Sequence, residues 1–152
     1  MLLAHMTCTL VSYVAFLVAF VTGALFLIQE RQLKHKHMGM LFHRLPPLET
    51  LDQWNLHAIG WGFGLLTVGL AIGMAVEHRL LGRWWSWDPK ELLTVVLWVT
   101  YLALWWLRLG ATLRGRKIAF LSILGFGLMI FTFIGVSRWW PSWHTTAFHH
   151  LS

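Results

Sequence analysis

The chain has 152 residues, 57% of them hydrophobic and only 12% charged, with a mean hydropathy of +0.61, which excludes an ordinary soluble domain and indicates a membrane protein. Cys8 is its only cysteine, so an internal disulfide, a CxxC redox pair and a CxxCH attachment motif are all excluded. The formal charge of +6 comes from basic residues that flank apolar runs and form no aromatic-interleaved patch, so membrane lipids, not nucleic acid, are the expected counterions.

Four apolar runs, 8–28, 54–76, 92–110 and 118–137, can cross a hydrocarbon core of roughly 30 Å at about 1.5 Å of rise per residue. They predict an all-α polytopic membrane protein with four transmembrane helices in a single membrane domain, 1–152. The first run starts almost at once and lacks a basic n-region, which argues against a cleaved signal peptide. After it comes "QERQLKHKHMGMLFHRLPPLETLD", basic and amphipathic, with Pro46-Pro47 breaking any helix before the second run. In the second run Gly60 with Gly64, and Gly69 with Gly73, stand at small-xxx-small spacing for close helix contact, and Gly125 with Gly127 offers the same in the fourth. The third run is uncharged only over 92–107, and Lys90 and Arg108 are expected to snorkel from its ends. Asp, Glu, Lys and Arg are absent from 8–28, 54–76, 92–107 and 118–137, which argues against a channel or transporter.

Lys and Arg number eight in the connections after the first and third runs and four on the other side, namely Arg79, Arg83, Lys90 and Arg138. By the positive-inside rule both termini and the loop 78–91 are external. His5, that loop and His144 should therefore meet at the outer surface.

The loop contains "GRWWSWDPKE". Asp88 at N-cap, Pro89 at N1 and Glu91 at N3 form a helix start that needs no further role. Interfacial tryptophans are also ordinary belt anchors, and Trp54, Trp98, Trp105 and Trp106 need no other account. That reading explains less well why Trp84, Trp85 and Trp87 crowd one loop while Trp139, Trp140 and Trp143 crowd the segment after the fourth run. Two such clusters suit a planar, hydrophobic ligand. His5 and His144 offer imidazole nitrogens to iron, although an interfacial histidine taken alone is more often solvated than ligating. Arg79, Arg83 and Arg138 can pair with carboxylates. A broad apolar face, axial nitrogens and two propionates are the demands of haem. His35, His37 and His43 lie among basic residues suited to lipid, His149 and His150 are terminal and read as solvated, and His57 reads as a simple hydrogen-bonding group.

"GRWWSWDPKE" resembles the tryptophan-rich WWD signature of the cytochrome c assembly family, the haem-handling membrane proteins of the CcsA, CcmC and CcmF type. The similarity also takes in "LPPLETLDQWNLHAIGWGFGLLTVGLAIG" and "GRKIAFLSILGFGLMIFTFIGV", and it looks most like the C-terminal part of a CcsA-type protein. The resemblance implies haem b held transiently and presented at the outer face for cytochrome c maturation, with His5 and His144 as axial ligands. Trp84, Trp85, Trp87, Asp88, Glu91, Arg83, Trp140 and Trp143 would form the surrounding site. It further implies a bacterial inner membrane with the loop on the periplasmic side, apocytochrome c as acceptor, and a CcsB/ResB-type subunit or upstream helices as partner. No nucleophile or general base stands out, so the chain reads as a haem-handling component of a cytochrome c synthase system. Two departures bear on this. Leu81 stands where the motif commonly has Trp, and Trp106 stands where family members carry an intramembrane histidine; a second such histidine would precede Met1. A shortened or split relative that keeps the external site is the expectation, and a HemX-like interaction protein that binds no haem is the alternative.

Overall fold

The computed structural model describes residues 1–36, 39–40, 43–110 and 114–135. These form four helices, α1 (Leu2–Lys34), α2 (Leu48–Leu81), α3 (Pro89–Leu109) and α4 (Arg116–Ile130), the last continuing into a π-helical turn, Phe131–Gly135. All four, counting α4 with its π-turn, are long and apolar enough to cross a membrane. The chain is thus an all-helical, multi-pass membrane protein.

Local chemistry sets the helix ends. Proline at 46 and 47 cannot extend a helix backward, and Pro47 stands as the extended residue before α2. α2 stops at Gly82, whose φ of 70° is left-handed and whose N–H donates to the carbonyl of His78. Asp88 caps α3 by accepting from the amide of Lys90 at 3.0 Å, with Pro89 at the first helical position. Gly115, at φ 63° and ψ −123°, opens α4 in a region that residues with a Cβ avoid.

Successive helices run antiparallel in a ring, α1 beside α2 and α4, and α3 beside α2 and α4. The centre is closed across the ring by Phe16 of α1 stacked on Tyr101 of α3, with centroids 3.6 Å apart. Glycines make room for both rings, since a Cβ on Gly62 would come within 2.4 Å of Phe16 and one on Gly125 within 3.2 Å of Tyr101. Ile59, Leu66, Leu97, Leu104, Ile118 and Met129 complete that core.

A buried polar node ties three helices nearer the opposite end. Asn55 of α2 donates to the carbonyl of Ala19 at 2.7 Å, and Ser122 of α4 lies 3.2 Å from its Oδ1. Gly23 permits this approach, as a Cβ there would lie 3.0 Å from the carbonyl oxygen of Ala119. Amide hydrogen bonds of this kind hold helices together where water exerts no hydrophobic force.

Two expectations need correction. Arg108 does not snorkel; its buried guanidinium pairs with Asp52 of α2, which removes the need to reach the headgroups. The glycine spacing also divides among partners. Gly69 and Gly73 both receive α1, Gly60 receives Trp105 of α3, and Gly64 and Gly127 face open space.

Candidate functional site

His5, in the first turns of α1, packs beside the last turns of α2, because Gly73 has no side chain there. A Cβ on Gly73 would lie 2.8 Å from Cε1 of His5. Four residues away, the carbonyl of Gly69 lies 2.7 Å from His5 Nδ1. A carbonyl only accepts, so Nδ1 carries a proton, and whenever the ring is neutral Nε2 is the nitrogen with the lone pair. Histidines that bind metals are commonly held in this way, by a backbone carbonyl on the other nitrogen.

His5 borders a cavity of about 380 Å³, a volume within the range of small-molecule and cofactor pockets. Leu66, Leu70 and Met74 give it apolar walls, Trp85 an aromatic one, and Glu77, Glu91 and the less buried Lys90 add ionisable groups to the lining. Thr132 and Phe133 enter the wall from the π-helical turn. Such wide turns occur often at functional sites. The cavity thus collects the start of α1, the end of α2, the start of α3 and the end of the fourth span.

The tryptophan loop is anchored from below by two carboxylates. Ser86 Oγ meets Glu91 Oε1 at 2.7 Å and Glu77 Oε1 at closer range, and the Ser86 amide donates to Glu91 Oε2 at 3.1 Å. Glu91, three residues after the cap, reaches Ser86 and ties the loop down. Between these anchors Trp87 adopts a left-handed conformation, φ 60°. Strain of that kind in a bulky residue persists only where surrounding bonds hold it, and it concentrates at functional sites.

The three loop tryptophans do not share one surface. Trp85 lines the cavity, with Trp87 edge-on to it at 6.2 Å between ring centroids. Trp84 stacks instead on His78, 4.0 Å away at 8° between planes. Trp84 and Trp87 are 57% and 74% exposed, leaving two large aromatic faces at the loop surface. Arg79 and Arg83 are exposed, and Lys90 is the cation on the cavity rim. Trp139, Trp140, Trp143, His144 and Arg138 lie outside the described residues. Among the described residues no group of three His, Cys, Asp or Glu is placed to hold a metal ion.

Sequence reasoning missed Glu77. A single glutamate just past an apolar run reads as an interfacial charge, and its partner Ser86 stands across a turn. Lys90 was read only as a snorkelling residue, although its position one residue before Glu91 placed it beside the same loop.

The profile described as "Cytochrome C assembly protein" matches residues 1–144. The chain is 30% identical over 151 aligned positions to "Cytochrome c biogenesis protein CcsA" of Guillardia theta, covering 90% of this chain and 50% of that relative. It is 39% identical over 100 positions to the protein of that name from Thermosynechococcus vestitus, covering 66% of this chain and 31% of the relative. Over 89 positions it is 43% identical to that of Prochlorococcus marinus strain NATL1A, covering 59% and 28% respectively. The chain thus spans half or less of the length of these relatives, and no solved structure matches it. With the profile running from the first helix through the segment beyond the fourth, the chain belongs to the cytochrome c assembly protein family.

Proposed function

We propose that this chain contributes the external haem-handling face of a cytochrome c assembly protein, presenting haem b for attachment to an apocytochrome c. The observation that carries the reading is the bond from His5 Nδ1 to the Gly69 carbonyl, which leaves Nε2 available beside the same cavity that Trp85 lines. The name these relatives carry, cytochrome c biogenesis protein, agrees with it.

The residues present suit haem in three respects: an imidazole with its tautomer set by a carbonyl, an apolar cavity with an aromatic wall, and Lys90 on the rim for a propionate. His5 would supply one imidazole nitrogen to the haem iron and His144 another. Trp85 is the aromatic surface, with Trp87 edge-on to it and Trp84 on the same loop, and Trp140 and Trp143 of the second external segment would be the further aromatic residues of the site. Arg83 reaches a propionate from the loop. Asp88 and Glu91 act indirectly, by fixing helix start and loop. The bound cofactor and the acceptor's cysteine thiols supply the chemistry, while this chain binds, orients and shields. The loop and both termini face the periplasmic side of a bacterial inner membrane, as the charge distribution favours. A CcsB/ResB-type subunit, or helices of the kind that precede this region in the longer relatives, completes the enclosure.

The test is an absorption spectrum of the detergent-purified chain, oxidised and reduced, with and without added haem, beside His5→Ala and Trp85→Ala. A low-spin spectrum is expected in the wild type, abolished in His5→Ala and weakened in Trp85→Ala. A wild type that takes up no haem, or a His5→Ala spectrum like the wild type's, would sink this reading.

A further inference from the structure

At the end of the bundle opposite the tryptophan loop, a groove of about 680 Å³ opens between the end of α1 and the start of α4. Arg31 and Lys34 line it from α1, Arg116 and Lys117 from α4, and Glu30 is the one carboxylate among its lining residues. Glu30 lies 3.4 Å from Lys34 Nζ and 4.0 Å from Arg116 Nε, so it can offset only one of four positive charges.

The two pairs of cations differ in what accounts for them. Arg31 and Lys34 stand in the last turn of α1, where the negative end of the helix favours them. Arg116 and Lys117 stand in the first turn of α4, where the helix end is already positive; no acidic residue occupies that turn and no side chain caps it. The start of α3 shows the usual solution, with Asp88 and Glu91 in those places. Nothing within α4 offsets the repulsion, and an external anion in the groove would.

The groove walls identify the anion's class. Leu27 and Phe120 line it, and Phe120 is 54% exposed. A free inorganic anion gains nothing from such a wall, whereas a lipid carries phosphate and hydrocarbon together at the depth where the spans end. We propose that this groove binds the phosphate of one anionic phospholipid, with the adjoining acyl segment against Leu27 and Phe120. The site is separate from the haem reading and stands without it.

The test uses the full chain in neutral detergent, titrated with phosphatidylglycerol, phosphatidylcholine or inorganic phosphate and read by native mass spectrometry. Phosphatidylglycerol should be retained at least about fivefold more tightly than phosphatidylcholine, and Lys34→Ala and Arg116→Ala should each weaken it about fivefold. Both side chains are more than half exposed, so neither change empties a packed site. Arg83→Ala at the other end should leave retention unchanged. Equal retention of the two lipids, or an Arg83→Ala effect as large as that of Arg116→Ala, would overturn the proposal. Displacement of the lipid by inorganic phosphate at the same concentration would do so too, by marking a free-phosphate site.

Discussion

Ser86, a small residue set among the motif's tryptophans, makes three hydrogen bonds that hold the loop. Its hydroxyl joins Glu77 at the end of α2 to Glu91 at the start of α3, and its amide makes a further bond to Glu91. Ser86→Ala would remove the hydroxyl that Glu77 and Glu91 share while keeping the amide bond to Glu91, a loss of roughly 1–3 kcal/mol. The thermal midpoint should fall and protease should cut sooner within 82–87; an unchanged midpoint and cleavage rate would show that the loop is held otherwise. At this scale the sequence was legible where chemistry is local. Asp88-Pro89 announces a helix start, and the structure has one. The tie from Glu77 was illegible, because nine residues and a reversal of the chain separate it from Ser86.

Among elements, α2 is the hub, and glycine decides which neighbour reaches which of its faces. Periodicity shows that Gly60, Gly64, Gly69 and Gly73 lie at helical spacing, yet it does not say which helix occupies each gap. The structure gives Gly69 and Gly73 to α1, Gly60 to α3, and leaves Gly64 open, while Gly62, outside the spacing pattern, makes room for Phe16. A Cβ on Gly73 would force the His5 ring aside and break its bond to Gly69, so Gly73→Ala should abolish the low-spin spectrum and destabilise the protein by about 1–3 kcal/mol. Gly64→Ala meets nothing within 4 Å and should change neither the spectrum nor the thermal midpoint. Equal behaviour of the two variants would disconnect His5 from its glycine seat.

The whole molecule divides into two chemically different ends. One carries His5, the cavity and the tryptophans; the other carries the connections richest in Lys and Arg, the Asp52–Arg108 pair and the basic groove. The charge bias predicts their sidedness. In a Cys8→Ser background, Arg83→Cys should react with a membrane-impermeant maleimide added to intact cells, whereas Lys34→Cys should react only after permeabilisation. Both native side chains are exposed, so access within the bundle does not limit either reaction. The reverse pattern would invert the proposed topology and remove haem presentation from the outer face.

Hydrophobic length, capping chemistry and a compact motif are all written within short stretches of chain, so residue order alone gives the membrane class, the four apolar spans, the start of α3 and the family. Packing alone sets Trp84 on His78 and Trp85 in the cavity wall, pairs Arg108 with Asp52 inside the bundle, and holds His5 Nδ1 on the Gly69 carbonyl. The last two depend on which surfaces of two antiparallel helices come within bonding distance. Helical periodicity specifies a face, and packing against a neighbour specifies the partner.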